Sequence, residues 1–479
     1  MYKSTIIAFA CATAVCTTQA QTGIAWDAVL DCNAAGEGAW RPRVALNGSG
    51  QPVVLWADNT PVRNLVSIGN GTSFSTPVEV NQGFAPAVAD WMGSSIASTG
   101  NTVWVVMKAN PEETMPVYVR RSDDGGTTWG DTLRVDPFDG KVSRFPSIDV
   151  SDPDAPLVQY MQFDSGYYGA RQVVCHVMGG AFMPPVQVSQ PYAPGDVCDC
   201  CPNQVVADGS RVVALYRNAG PNVRVMWGAA SANGGMTFPS GELLDYTAWP
   251  LNACPSSGPD GYFDGDSIRY VWMSGATNGS KVYIGSALAD DLATGGQRNV
   301  HPDQPQNQQQ NFPRIAGNGD TLAVVWQQQQ SGQTEILFSW SVTGPLGLSA
   351  PDTVNVDYSG AQKTPDIAFG DGAFHIVWSE PGTGQVRYRR AELVNLVGLA
   401  EEPTIAVVDA RPNPANDHVV VSGGPWSTAT IIDERGGVAA RAAVQNGRIE
   451  LRGLASGTYT VQLEGLRNQR GTLKLNIAR

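Results

Sequence analysis

Two sets of residues in this 479-residue chain have types and spacing that suit chemistry. The first follows a recurring proline: Arg43, Ala87, Ser147, Asn203, Ser256, Arg314 and Asp366. If the prolines mark equivalent points of a closed ring, Arg314, Asp366 and Arg43 come from neighbouring units. An Arg–Asp–Arg group can hold a carboxylate or sulfate through paired N–H donors. Its plainer use is an ion pair that seals the ring. The second set is Cys198-Asp199-Cys200-Cys201-Pro202 with Cys254-Pro255. Cys201 and Cys254 precede the prolines of adjacent units, so the four cysteines should gather on one face. Two disulfides are expected there, with a thiolate metal site as the alternative. A bond between the adjacent Cys200 and Cys201 would be strained. Cys32 and Cys175 form either a pair or two free thiols.

Asp58, Glu112, Glu113, Asp164, Tyr167, Tyr168, Arg217 and Glu380 fall in connections between second and third strands. Tyr168 and Glu380 join Arg43, Arg314 and Asp366 as candidate ligand contacts. Two carboxylates about 5–10 Å apart would suit glycoside hydrolysis, but no pair stands out, and each residue alone reads as a solvated loop residue. Gln327 to Gln330 read as a solvated loop, with polar sugar contacts as the alternative. The four His make no metal motif, and His375 on an apolar strand reads as core. No metal and no cofactor are expected.

The elements that must position these residues repeat. The prolines Pro42, Pro86, Pro146, Pro202, Pro255, Pro313 and Pro365 are 44 to 60 residues apart. Each opens an alternating apolar run. A second run follows, as in Pro52-Val53-Val54-Leu55-Trp56 and Leu322-Ala323-Val324-Val325-Trp326, then a third and often a fourth ending Pro-Val-x-Val. Four short strands per unit, about seven times over, predict an all-β chain with a β-propeller of seven blades, six being the alternative. Ile24 to Ala28 would supply the last unit's fourth strand. A linear stack of units is the other architecture with this arithmetic.

Composition agrees. Charged residues are only 16%, hydrophobic residues 42% with 13 Trp, and Gly and Pro number 53 and 32. Disorder and helical bundles are excluded on that balance. The net charge of -13 without a Lys/Arg cluster excludes a nucleic-acid surface. No run is long and apolar enough for a membrane-spanning helix.

Ser122-Asp123-Asp124-Gly125-Gly126-Thr127-Thr128-Trp129 has the spacing Ser-x-Asp-x-Gly-x-Thr-Trp. Ser231-Ala232-Asn233-Gly234-Gly235-Met236-Thr237-Phe238 repeats it with Asn for Asp, and Ser67 to Phe74 is a weaker copy. The expected anchors are Ser122, Asp124, Gly126 and Trp129, and Ser231, Asn233, Gly235 and Phe238. The carboxylate or amide accepts turn N–H bonds, Gly takes positive φ, and the aromatic packs between strands. This is the Asp-box, and residues 22–395 resemble the sialidase-like, BNR-repeat propeller proteins exported by bacteria. The resemblance implies a structural role for the turns and a glycan or glycoconjugate partner. It also implies either an exo-acting glycosidase or a non-catalytic binding, adhesion or scaffold protein. A sialidase needs three arginines, a Tyr–Glu pair and an acidic general acid. Trp40-Arg41-Pro42-Arg43 matches the first-arginine motif loosely, and the Tyr–Glu pair and acid are not assignable.

Residues 1–20 read as a signal peptide, with Lys3, an apolar run from Ile6 to Val15 and cleavage after Ala20. Residues 21–395 form the propeller and 396–404 a linker. Residues 405–479 alternate with turn signals as in a small Ig-like β-sandwich. Its Arg411-Pro412-Asn413-Pro414-Ala415-Asn416-Asp417 start, the Asp433-Glu434-Arg435-Gly436-Gly437 turn and the Leu454-x-x-Gly457-Thr458-Tyr459 segment resemble the C-terminal sorting domain of the type IX secretion system of Bacteroidota. That implies the secretion machinery as partner, passage across the outer membrane and a secreted or cell-surface monomer.

Overall fold

The structure is a computed structural model. It describes residues 21–189, 192–302, 309–330, 332–396, 405–406, 408–422, 424–465 and 470–479. The proposed signal peptide and linker positions 397–404 lie outside the described residues. Ile24–Leu393 form one compact unit, and Val394–Arg479 belong to a second.

In the first unit, seven sheets with four main strands each, two of them carrying a short fifth strand, follow one another among the described residues. Their first strands are Trp40–Leu46, Ser95–Thr99, Val142–Asp149, Gln204–Asp208, Asp260–Asp264, Gln310–Asn318 and Lys363–Gly370. Each touches the next, and the last touches the first, so the strands enclose an axis. These sheets are blades 1 to 7 in that order. Blade 7 is completed from both ends of the unit: Gln21–Trp26 pairs with Gln385–Leu396, and Leu30–Asp31 pairs with it further along. A linear stack is thereby excluded.

The blades hold together because their second strands are buried on both faces. Trp56, Trp272, Trp326 and Trp378 stand at the same point of blades 1, 5, 6 and 7, each at most 1% exposed, with Tyr216 in blade 4. Apolar clusters fill each gap between neighbouring blades. Val44, Val54, Trp56 and Leu65 of blade 1, for instance, pack on Val377, Val386 and Tyr388 of blade 7. Burying one such side chain stabilises by about 1.5–3 kcal/mol, so the ring is held by repeated inter-blade packing.

The recurring proline marks a bulge. Pairing of first to second strand slips between Trp40 and Arg43, Arg144 and Ser147, Asn311 and Arg314, and Lys363 and Asp366. In each case the residue before the proline has positive φ: Arg41, Phe145, Phe312 and Thr364, at 47° to 51°. A bulge leaves one residue unpaired and re-aims its side chain. Blades 2, 4 and 5 differ from the sequence reading. Pro86 makes only an isolated bridge to Ala109, and the first strand of blade 2 begins nine residues later at Ser95. Pro255 precedes the first strand of blade 5, which begins at Asp260 after Pro259. The first strand of blade 4 begins at Gln204, two residues after Pro202. Ser95, Gln204 and Asp260, rather than Ala87, Asn203 and Ser256, therefore hold the position of Arg43. Gln327 to Gln330 are strand, not loop. Their amides are used internally: Gln310 Nε2 and Trp326 Nε1 donate to Gln328 Oε1, and Thr364 N donates to Gln327 Oε1.

The second unit is a two-sheet β-sandwich. One sheet has five strands in the order Ile405–Ala406, Arg470–Ile477, Gly457–Gly465, Trp426–Ile432 and Val438–Ala443, and the other joins Ala410–Arg411, His418–Val421 and Arg448–Glu450. Val419, Ile431, Ile449, Val461 and Leu475 lie in its core. The Asp433 turn closes as its composition suggests, with Arg435 N and Gly437 N donating to Asp433 Oδ1.

Candidate functional site

The channel end of the first strands gathers Arg41, Arg43, Arg314, Asp260 and Asp366. Asp366 Oδ2 accepts from Val44 N at 2.9 Å, and Asp260 Oδ2 accepts from Ile315 N at 2.9 Å. Ser147 Oγ does the same for Val205 N at 3.2 Å. A polar side chain of blades 3, 5 and 7 thus latches onto the backbone of the next blade. Arg314 sits between the two latching carboxylates, with Nη1 3.1 Å from Asp260 Oδ1 and Nε 3.4 Å from Asp366 Oδ1. Burial works to lower the Arg314 pKa, but Asp260 and Asp366 outweigh it and hold it above the ordinary value. Asp260 is raised, by desolvation first, against the pull of Arg314.

Arg41 and Arg43 are placed differently. Both are buried, 7% and 6% exposed, and among the described residues neither makes an ion pair. Arg43 Nη1 donates to the carbonyl of its own neighbour Pro42. Arg41 Nη1 reaches the Asp90 carbonyl at 3.4 Å, its guanidinium lies 5.1 Å from the Phe312 ring centroid, and its Nε is buried without a partner. Gly93 permits this packing, because a Cβ there would stand 2.8 Å from Arg41 Cβ. Burial, then Arg43 and Arg314, push the Arg41 pKa well below its ordinary value. Arg43 is lowered to about 10, by burial first and Arg314 second. A guanidinium keeps its proton in proteins, so these directions report positive charge that lacks compensation. Three guanidinium groups face two carboxylates. Arg41, Arg43 and Arg314 line two hollows of about 20 Å³ each, one walled by Ser147 and Asn203 and the other by Pro259 and Phe312. Each has room for a water-sized group, such as the end of a carboxylate. Met92 also lines a wider cavity of about 310 Å³ whose walls include Trp40, Glu112 and Glu113.

Of the sequence-derived candidates, Arg43, Arg314 and Asp366 come together here. Tyr168 does not: it is 75% exposed at the start of the third strand of blade 3. Glu380 lines a separate cavity of about 410 Å³ with Trp378, Asp31 and Gln362, and is paired with Arg387. The other candidate carboxylates are likewise paired: Asp58 with Arg63, Glu112 with Arg144 and Asp164 with Arg171. Asp58 and Arg217 are not solvated loop residues but buried members of second strands. Tyr167 donates to Glu113 Oε1 at 3.0 Å. Arg41, which the sequence places only in the loose first-arginine motif, and Asp260 join the group without being candidate contacts. The Pro259-Asp260 dipeptide, in step with Pro313-Arg314, was the available signal for the second.

The turns between third and fourth strands are built as their sequence suggests. Ser122 Oγ donates to Asp124 Oδ1 at 2.8 Å and accepts from Gly126 N, while Asp124 accepts from Thr128 N and Thr128 Oγ1. Ser231, Asn233, Gly235 and Thr237 repeat the network. Trp129 packs on the cluster between blades 1 and 2, and Phe238 within that between blades 3 and 4. The weak third copy departs, since Ser67 Oγ donates to Cys32 O instead.

Of the two expected disulfides one is present, Cys200–Cys254. Cys198 and Cys201 are free thiols 2.9 Å apart. Cys32 and Cys175 are buried, free and in different clusters. With Cys200 and Cys254 bonded to each other, the sulfur group offers an ion no more than two free thiols.

No protein-family model and no curated protein matches this chain. Among solved structures it is similar to a protein of unknown function from Dyadobacter fermentans, at 12% identity over 78% of this chain and 100% of that one, TM-score 0.46. Trypanosoma rangeli sialidase in complex with the inhibitor DANA is 9% identical over 84% of this chain and 86% of that one, TM-score 0.41. An α-L-arabinofuranosidase from Fusarium graminearum is 12% identical over 64% of this chain and 93% of that one, TM-score 0.40.

Proposed function

We propose that the propeller binds an acidic glycan, with the sugar carboxylate held by Arg41 and Arg43 at the channel mouth. The observation that carries this reading is the unpaired charge of two buried arginines, one with an orphaned Nε. A buried charge without a partner costs several kcal/mol, and an anionic ligand would offset that cost through charge-assisted hydrogen bonds. The small hollows admit only the carboxylate, so the sugar ring would lie outward, toward the wider cavity lined by Trp40. Calorimetry with N-acetylneuraminic acid, glucuronic acid and their methyl esters tests this. Binding of an acid and not of its ester is expected, and equal binding of esters or neutral sugars overturns it.

A second reading, exo-acting hydrolysis of sialidase type, is favoured by the Tyr167–Glu113 hydrogen bond. Against it, burial and Glu113 push the Tyr167 hydroxyl up to about 12, holding it protonated. Release of a fluorogenic aglycone from a sialoside, lost in Tyr167→Phe, would establish hydrolysis.

The chain is proposed to leave the cell through the type IX machinery, on the motifs at Arg411–Asp417 and Leu454–Tyr459 and on a sandwich with its own core. Deleting 405–479 should then trap the propeller in the periplasm of a type IX-competent host. Surface delivery of the truncated chain would overturn this.

A further inference from the structure

Three cysteines lie in the segment leading into blade 4, and a fourth precedes blade 5. Cys198 N donates to the carbonyl of Arg217, and Cys201 N donates to the carbonyl of Cys198, so the backbone folds into a tight turn. The turn stacks the sulfurs. Cys198 Sγ lies 2.9 Å from Cys201 Sγ and 3.6 Å from Cys200 Sγ, and Cys200 is bonded to Cys254. The four differ in access: Cys198 and Cys201 are 1% exposed, Cys200 is half-buried and Cys254 exposed. A buried dithiol therefore touches a disulfide whose far end meets solvent. The Arg217 guanidinium sits beneath the turn, bonded through Nε and Nη2 to the carbonyls of Ser257 and Met273, with Nη1 unpartnered.

We propose that Cys198, Cys200, Cys201 and Cys254 form a thiol–disulfide exchange site, in which the buried dithiol passes its two electrons to the exposed pair and from there to an external disulfide. In the first step the Cys198 thiolate attacks Cys200 Sγ. The Cys198–Cys200 bond forms, the Cys200–Cys254 bond breaks, and Cys254 leaves as a thiolate facing solvent. In the second step Cys201 sulfur attacks Cys198. The Cys198–Cys201 bond forms, and Cys200 leaves carrying the proton that Cys201 gives up. Oxidation state is conserved, so the exchange needs no added oxidant. The Cys254 thiolate then attacks an external low-molecular-weight or protein disulfide, releasing one external thiolate. Cys200, deprotonated to solvent, resolves the mixed disulfide and releases the other. The protein ends with both pairs oxidised and the substrate reduced by two electrons.

The surroundings suit the first step, because a thiolate is the attacking species. The hydrogen bond from Cys201 draws the Cys198 thiol down to about 7 against the effect of burial, and Arg217 and Arg224 add to the pull. Cys201 is held high, by burial first, so it attacks only as its proton passes to the departing Cys200. This inference does not depend on glycan binding.

The test uses the full-length protein with one disulfide and two thiols. It is incubated with N-ethylmaleimide in the native state, quenched in acid and mapped without reduction. In the wild type, maleimide should accumulate on Cys254 and Cys200 while a Cys198–Cys201 link appears. In Cys198→Ser the Cys200–Cys254 bond should persist with Cys254 unlabelled. In Cys201→Ser the exchange should stop halfway, with Cys198 linked to Cys200 and Cys254 labelled. Labelling of Cys254 in Cys198→Ser at the wild-type rate would overturn the proposal. So would direct labelling of Cys198 with Cys200–Cys254 intact, or four thiolates holding stoichiometric zinc. If neither variant folds, the wild-type map decides alone, since the Cys198–Cys201 link either forms or does not.

Discussion

Asp366 and Val44 are 322 residues apart in sequence, and the Asp366 carboxylate accepts the Val44 backbone N–H at 2.9 Å. This bond joins the last blade to the first. Asp260 makes the same bond to Ile315 between blades 5 and 6, so the closure uses a device the ring repeats.

Asp366→Ala should therefore cost about 3–5 kcal/mol, because it removes a latch and leaves Arg314 with one fewer buried partner. Asp260→Ala should cost a similar amount for the same reason. Thermal unfolding of both variants checks this. A loss under about 1 kcal/mol, the range of an exposed ion pair, would show that the latch is not what closes the ring.

The two repeated turns supply an internal control. Asp124 uses both oxygens, toward Thr128 N and Thr128 Oγ1. Asn233 reproduces this with Oδ1 accepting from Thr237 N and Nδ2 donating to Thr237 Oγ1. Asp124→Asn should be near neutral, whereas Asp124→Ala should cost about 1–2 kcal/mol through lost turn hydrogen bonds. Equal losses in the two variants would mean that charge, not the hydrogen-bond pattern, matters.

The propeller was legible because its period is carried by features that single residues reveal. A proline at a bulge and a Trp on a buried second strand recur in blades 1, 6 and 7 whatever surrounds them. The proline marker failed where another constraint holds the chain. Pro86 lies in a connection before blade 2, and Cys254-Pro255 lies in a connection tied by a disulfide. Arg41 falls outside the post-proline set, and so outside the candidate contacts, for a related reason. Attention to the residue after the proline ignores the one before it, and the positive φ at the bulge brings both to the same hollows. The glutamine run looked like loop because burial of amides depends on cross-strand partners such as Gln310, which no local pattern displays.

His375 is 5% exposed on the second strand of blade 7, with Nδ1 2.7 Å from Tyr388 Oη. Burial first, then Arg390, lowers its pKa from 6.5 to about 4. A depressed folded-state pKa means that the unfolded chain takes up a proton the folded one refuses. Its contribution is thus complete above pH 6.5 and is lost as pH falls toward 4, by about 3 kcal/mol at most. Asp149, raised to about 6 chiefly by desolvation, has the opposite sign: its contribution is present at low pH and lost as pH rises through 6. A difference measurement removes it. The stability gap between wild type and His375→Gln should narrow by up to about 3 kcal/mol from pH 7 to pH 4. A constant gap would show that His375 does not titrate differently in the two states.

Arg41 and Arg314 are both buried arginines of the same cluster, yet they should answer replacement in opposite ways. Arg314 neutralises Asp260 and Asp366, so Arg314→Met leaves two buried carboxylates facing each other and should cost about 3–5 kcal/mol. Arg41 makes no ion pair among the described residues, feels Asp366 and Asp90 only at a distance, and leaves its Nε unpartnered. Arg41→Met removes an uncompensated charge and fills similar volume, so stability should stay level or rise. If the hollow receives a carboxylate, the same change should weaken acidic-sugar binding at least about tenfold, or about 1.4 kcal/mol. Thermal unfolding and calorimetry on both variants separate the roles. An Arg41→Met protein as unstable as Arg314→Met would make Arg41 part of the closure. One that is stable and binds acidic sugars as tightly as the wild type would remove Arg41 from the site.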